Sequence, residues 1–188
     1  MANKYTMQYT GHILELENAL STTQCAAAID WYNRKQADAE WHYACEGEHD
    51  TYIHANLYGS YMELLGKQVN AQLITVYAEY CEHTGFRPKN ISHSFDHKFQ
   101  KHVPGGGFQK WHCEHHHHSN DQYRCAVWMY YLNEQALAGT EFLYPELTVS
   151  AQTGKLVIFP AYGTHVHRTE TGYTQDKYIL TGWFCTNP

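Results

Sequence analysis

The chain carries little charge and has no long apolar run. Charged residues fill 17% of its 188 positions, and the 19 acidic side chains outnumber the 13 of Lys and Arg, for a formal net charge of −6. A protein that neutralises phosphates needs a basic footprint, and none is present, so nucleic acid is not expected as a partner. No segment approaches the roughly 20 apolar residues of a membrane-crossing helix, so no membrane partner is expected. Met1–Thr6 lacks the apolar core of a signal peptide, which makes a cytoplasmic location the expectation. The cysteines at 25, 45, 81, 113, 125 and 185 never fall in CxxC spacing. They read as buried thiols, not as a disulfide framework or a zinc knuckle. Low-complexity tracts and internal repeats are missing as well, which removes disordered and solenoid architectures.

What is present describes a globular chain. Hydrophobic residues make up 43% and aromatic ones 15%, sixteen of them tyrosine. The length suits one domain, 1–188, with a substantial core. Fifteen histidines are unusual, and four of them form the internal run His115–His118.

Residues 1–90 read as helical support. Ser21 or Thr22 can cap a helix in which Cys25, Ala28, Ile29 and Tyr32 make one apolar stripe, ending near 34–36. Trp41, Tyr43 and Cys45 alternate as an edge strand would, and 47–51 reads as a loop. A second, longer helix starts at Tyr58 or Ser60 and runs to His83. Met62, Leu65, Val69, Leu73, Val76 and Tyr80 step along one face of it, and Gly85 suits the position that stops it. A stripe this long requires a broad partner, most simply a sheet.

From Ile91 to the end the pattern changes to short β-prone runs between turn residues. The alternating run at 95–103, the segments 108–114, 124–132, 141–144, 147–150 and 155–159, and the final run 177–184 give about eight strands. The fold class is therefore mainly β with supporting helices: a double-stranded β-helix, or jelly roll, over 91–188 with the N-terminal helices packed on one sheet.

Chemistry concentrates in Trp111-His112-Cys113-Glu114. In an extended chain, residues two apart point to the same side, so His112 and Glu114 project together. A second imidazole, from His165 or His167, completes two histidines and one carboxylate, the ligand set of non-haem Fe(II) oxygenases. Strand parity does not choose between His165 and His167. In the last run Lys177, Ile179, Thr181 and Trp183 share a face, which puts a cation, a hydroxyl and an indole on one wall. A buried lysine needs an anion, and a dicarboxylate co-substrate supplies one; the alternative leaves Lys177 in solvent at the strand mouth.

Taken in order, several pieces of the span from about His102 to Phe184 resemble the 2-oxoglutarate- and Fe(II)-dependent dioxygenases. The nearest likeness is to the prolyl 4-hydroxylase-like branch of bacteria and phages. The pieces are Pro104-Gly105-Gly106-Gly107-Phe108 leading to His112 and Glu114, then Arg124 to Asn133, Gly139-Thr140-Glu141-Phe142, Gly154 to Pro160, the histidine segment, and Lys177 to Trp183. The resemblance implies His112, Glu114 and His167 as iron ligands. In that family the lysine for the far carboxylate of 2-oxoglutarate lies ten residues after the distal ligand, and Lys177 stands ten after His167. His165 is the fallback. Tyr131 resembles the strand tyrosine beside that lysine, Thr181 joins them, and Trp183 and Phe108 wall the pocket. Arg124 is expected in solvent or facing substrate. The implied cofactors are Fe(II) and 2-oxoglutarate, with O2 as co-substrate and ascorbate as a reductant. The implied reaction is hydroxylation of a C–H bond, with a peptidyl residue such as proline as substrate and succinate and CO2 as co-products. A free amino acid or small-metabolite hydroxylase on the same iron, and a cupin-like metal-binding protein without oxidation, are the alternatives. Two departures stand out: Glu114 replaces the aspartate most prolyl 4-hydroxylases use, and the loop before Thr140 is short and lacks a Gly-Gly pair.

Overall fold

The computed structural model describes residues 6–38, 40–42, 50–86, 91–93, 96–115, 117–118 and 122–186. In the N-terminal part, strands β1 (Met7–Thr10) and β2 (Ile13–Leu16) precede helix α1 (Thr22–Lys35). Strands β3 (Glu40–His42) and β4 (Asp50–His54) follow, and then one helical turn, α2 (Gly59–Tyr61). It runs on through a π-helical stretch, Met62–Gly66, into α3 (Lys67–Thr84). The remainder is β5 (Ile91–His93), β6 (Lys98–His102), β7 (His117–His118), β8 (Gln122–Tyr131), β9 (Gln135–Phe142), β10 (Leu147–Ala151), β11 (Leu156–Pro160), β12 (His167–Thr169) and β13 (Lys177–Thr186).

The helices form where the sequence signals them. The Ser21 hydroxyl accepts the Gln24 N–H while the Gln24 side chain takes the Ser21 N–H, so two otherwise unsatisfied donors at the start of α1 are paired. Gly85 closes α3 in the left-handed region at φ 67°, where a residue with a Cβ is strained. On α3 and the stretch before it, Leu65, Val69, Leu73, Val76 and Tyr80 are buried, and the whole face lies on a sheet.

Two antiparallel sheets make the β core. The large one has the order β1-β2-β11-β8-β13-β6-β4-β3, with β5 on β13 and β7 on β8. The small one is β10-β9-β12. Strand alternation divides the large sheet's side chains between two cores. Trp128, Tyr130, Leu156, Ile158, Tyr178 and Leu180 meet the helices. Val127, Met129, Tyr131, Val157, Phe159, Ile179 and Trp183 point to the opposite side, toward Ala138, Phe142 and Val149 of the small sheet. Both faces of β13 are covered, which is why Lys177 to Cys185 is buried without a break. The expected jelly-roll class with helices on one sheet is the observed architecture.

Two sequence expectations need correction. Residues 1–90 contribute more than helices, because β1 and β2 extend one edge of the large sheet and β3 and β4 the other. Runs of three to five residues are too short to show a period. Of the alternating edge at 41–45, Trp41 lies in β3, and Tyr43 and Cys45 fall outside the described residues. The segment 108–114 is not a ladder strand. It makes one bridge, His112 with His167, whose main chains exchange 3.1 and 2.8 Å hydrogen bonds, and then Glu114 N–H turns away to the Ala161 carbonyl. Among the described residues the cysteines are free thiols, with Cys25, Cys125 and Cys185 buried.

Leu73 sits at 0% exposure between α3 and the large sheet. Leu73→Ala lowers the unfolding free energy by about 2–5 kcal/mol, measurable as a drop in the urea midpoint at unchanged slope.

Candidate active site

Five strands, β6, β8, β9, β12 and β13, and one irregular segment place the polar side chains between the sheets. The glycine turn at 104–107 reverses the chain after β6 and feeds the segment that carries His112 and Glu114. Gly107 has φ 86°, and a Cβ there would lie 2.4 Å from Thr169 Cγ2; only glycine lets this turn press against β12. Asp50, from β4, holds the turn from behind. Its carboxylate is 1% exposed and accepts from Val103 N–H at 3.0 Å, Gly107 N–H at 2.6 Å and His102 Nδ1 at 2.8 Å. Burial alone would raise the Asp50 carboxyl, but the His102 side chain and the two main-chain donors reverse this and lower it. Burial pushes His102 down as well, so the pair is a carboxylate accepting from a neutral imidazole.

His112 and His167 then meet across the bridge with ring centroids 4.4 Å apart. Ligand atoms of His112, Glu114 and His167 all lie within 4.8 Å of one another, the one such group among the described residues. Each ring is turned by its own main chain: His112 Nδ1 donates to the Lys110 carbonyl at 2.8 Å and His167 Nδ1 to the His165 carbonyl at 2.9 Å. Both Nε2 lone pairs are thereby left for the shared space, the orientation a metal-binding imidazole needs. Burial and then His112 push His167 down to about 4, so it is a neutral donor near pH 7. Burial would raise Glu114, but the His112 side chain and the Arg124 guanidinium outweigh it and hold the carboxyl at about 2. Two imidazole Nε2 atoms and one ionised oxygen fit a divalent ion with bonds of about 2 Å, and the three leave its other positions open.

The group opens on a cavity of about 410 Å3. Val127, Met129, Phe159 and Ile179 form its apolar walls, and Phe108, Thr181 and Trp183 line it too. Phe108 packs 4.1 Å from the His112 ring, Thr181 donates to the Trp128 carbonyl at 2.8 Å, and Trp183 Nε1 donates to Glu114 Oε2 at 3.0 Å. Lys177 and Tyr131 do not line the cavity themselves, and each reaches it through a threonine that does. Lys177 Nζ donates to Thr169 Oγ1 at 3.0 Å, and the Tyr131 hydroxyl shares a 2.7 Å hydrogen bond with Thr140 Oγ1. Lys177 is 1% exposed, and burial pushes it down to about 7. Burial drives Tyr131 upward, so it stays a neutral phenol.

The His165 side chain points elsewhere. Its Nδ1 meets Thr164 Oγ1 at 3.0 Å, its ring lies edge-on to His12 at 6.3 Å, and burial with His12 pushes it down to about 4. From the histidine run, His115 packs on Tyr162 with ring centroids 4.4 Å apart and bonds the Arg124 carbonyl at 2.9 Å, while His117 and His118 form β7. His116 lies outside the described residues.

Two participants were not legible as such. Asp50 falls at the edge of what reads as a surface loop. Arg124 was expected in solvent or facing substrate; its side chain is 13% exposed and lines the cavity, and its Nη1 stands 2.8 Å from Glu114 Oε2. A bulge accounts for this. Phe184 pairs with Ala126 but Cys185 pairs with Arg124, so Cys125 is an extra residue in β8. Strict alternation from Val127 would turn residue 124 outward, and the extra residue turns it in.

Residues 97–185 match the profile of the 2OG-Fe(II) oxygenase superfamily, and the resemblance drawn from the motifs is borne out over that stretch. No curated protein matches the chain in sequence. Among solved structures, the fold is similar to a viral collagen prolyl hydroxylase from Paramecium Bursaria Chlorella virus-1 in its 2OG complex, with TM-score 0.68 and 14% identity over 94% of this chain and 97% of that one. A Pseudomonas putida prolyl-4-hydroxylase gives TM-score 0.68 at 18% identity, covering 95% of both chains. A Trichoplax adhaerens prolyl hydroxylase in complex with a hypoxia inducible factor peptide fragment gives 0.66 at 14% identity, over 93% of this chain and 84% of that one.

Asp50→Ala leaves three buried donors without their acceptor and lowers stability by on the order of 3 kcal/mol. The carboxylate's contribution is fully present above its unfolded value of 3.8 and is lost as pH falls through its lowered native value. Stability against pH therefore differs between wild type and Asp50→Ala at neutral pH and converges in acid.

Proposed function

With 97–185 carrying the 2OG-Fe(II) oxygenase match, we propose that the protein hydroxylates a C–H bond of a peptidyl residue, proline first, and converts 2-oxoglutarate and O2 to succinate and CO2. In this reading 1–188 acts as a single domain, cytoplasmic, with ascorbate as an external reductant. His112, Glu114 and His167 hold Fe(II). Lys177, with Tyr131 and Thr181, takes the far carboxylate of 2-oxoglutarate, and Phe108 and Trp183 are walls. The observation that carries it is one cavity lined by the three-donor group and by Thr169, behind which the Lys177 amine is buried.

Bound there, ferrous iron supplies the activation of O2 that no side chain provides. The chain's own residues do the rest. The main-chain carbonyls of Lys110 and His165 keep both imidazole lone pairs turned inward. Lys177 offers a positive charge from a dry site, where an ion pair is strong. Val127, Met129, Phe159 and Ile179 keep bulk water from the reacting centre. A second hollow of about 320 Å3, lined by Gln109, Leu137, Glu141 and Glu170, shares Arg168 and Thr169 with the first. An extended trough suits a peptide, whereas a free amino acid or small metabolite would fill the first cavity alone. Lys177 behind the cavity argues against a metal-binding module without oxidation, which has no use for it.

Anaerobic addition of Fe(II) and 2-oxoglutarate should give a visible charge-transfer absorption, and admission of O2 should yield succinate, with mass spectrometry against proline-containing peptides locating the added oxygen. Tight zinc binding with neither signal would sink the oxygenase reading. His112→Ala and His167→Ala each abolish succinate, and His165→Ala retains it; the reverse result would reassign the distal ligand.

Lys177 also sets a pH dependence. Its native value of about 7 lies below the ordinary 10.5, so above pH 7 the empty site holds a neutral amine. A bound carboxylate favours the ammonium, and binding then takes up a proton. The dissociation constant of 2-oxoglutarate, read from the same absorption, rises about tenfold per unit above pH 7. Lys177→Met binds weakly and loses this slope.

A further inference from the structure

We infer that Arg124 and Trp183 are positioning residues: together they occupy the outer oxygen of Glu114 and present this carboxylate to the metal through one oxygen only. The inference rests on the metal site proposed above. Glu114 Oε2 receives Arg124 Nη1 at 2.8 Å and Trp183 Nε1 at 3.0 Å, while Oε1 lies 3.3 Å from His112 Nε2, on the side of the donor group. An ionised oxygen that already accepts two hydrogen bonds, one from a cation, has its lone pairs committed. The free oxygen is the ligand.

The two donors also fix each other. The Arg124 guanidinium stacks on the Trp183 ring, 3.5 Å from its centroid, a planar contact that lysine does not reproduce. Their strands are neighbours, and the extra residue Cys125 is what turns Arg124 inward beside Trp183. Arg124 Nε is buried without a hydrogen-bond partner among the described residues. A buried ion pair arranged for stability would satisfy that nitrogen; here the guanidinium is aimed at Glu114 instead. The clamp also gives a reason for glutamate at this position. Its extra methylene lets one carboxylate reach the two donors and the metal together, which the shorter aspartate does not.

The test uses Mn(II) with the full chain, no co-substrate and no turnover. Affinity and water-proton relaxation are measured for wild type, Trp183→Phe, which keeps a ring but removes the N–H, and Arg124→Met. Each substitution should weaken Mn(II) binding about 10–100-fold. Each should also lower the relaxation enhancement per bound ion by about one third, as Glu114 swings to two-oxygen coordination and displaces one of three waters. In a Glu114→Asp background, which disengages the clamp, Arg124→Met should have no further effect on affinity. Wild-type affinity and relaxation in Trp183→Phe would overturn the inference, as would an Arg124→Met effect that persists undiminished in the Glu114→Asp background. Should Arg124→Met fail to fold, Trp183→Phe decides alone. If wild type itself binds no Mn(II), or His167→Ala binds it equally well, the metal-site reading falls first and the clamp with it.

Discussion

The site depends on two main-chain hydrogen bonds. His112 and His167 exchange N–H and C=O groups across a single bridge, and no ladder continues from it on the His112 side. That bridge brings an irregular segment beside β12 and puts two imidazoles 4.4 Å apart. Everything nearby serves to keep it in place. Asp50 ties down the glycine turn before it, Gly107 lets the turn approach Thr169, and Glu114 N–H leaves β12 for the Ala161 carbonyl at the end of β11. The segment thus spans both sheets at their open end.

The electrostatics follow from the same enclosure. Two sheets enclose the cavity, and His167, Glu114 and Lys177 are all displaced from their ordinary values. His167 is kept neutral by burial and His112, while Glu114 is kept charged by His112 and Arg124 against the effect of burial. Lys177 is drawn toward neutrality by burial, which outweighs the opposing pull of the Glu170 and Asp50 carboxylates. A buried amine of this kind costs stability, and a dianionic ligand would offset that cost. In the proposed function the same residue that weakens the empty protein recognises the co-substrate.

Much of this was legible from the chain alone, and the exceptions are instructive. The α3 stripe, its glycine stop and the alternation along 127–131 and 177–183 are periodic signals, and they set which residues face the helices and which face the cavity. His112 and Glu114 announce themselves by spacing, and the superfamily match at 97–185 covers the motifs that carried the resemblance. The choice of His167 over His165 came from the family interval to Lys177, since parity was silent. In the structure a 3-10 turn at Gly163–His165 sends the His165 ring toward His12 and uses its carbonyl to orient His167. That Arg124 takes the cavity-facing one of its two expected places follows from a single extra residue, Cys125, which reverses alternation without any compositional mark. The edge strands β3 and β4 are too short to show a period, so Asp50 looked like part of a surface loop.

Local chemistry is therefore what the sequence determined by itself: helix caps, glycine turns, apolar faces, the pair of ligands two apart and the lysine on the last strand. These depend on neighbours within a few residues, where side-chain type and spacing are sufficient. The tertiary structure decided everything that needs two distant segments to meet. It alone set the bridge between 112 and 167, the anchoring of the 103–107 turn by Asp50, the threonines through which Lys177 and Tyr131 reach the cavity, and the inward turn of Arg124 onto Glu114 and Trp183. The reason is physical. Each of these contacts is fixed by sheet register and by one bulge, and register is a property of strand pairs, which a linear pattern does not encode.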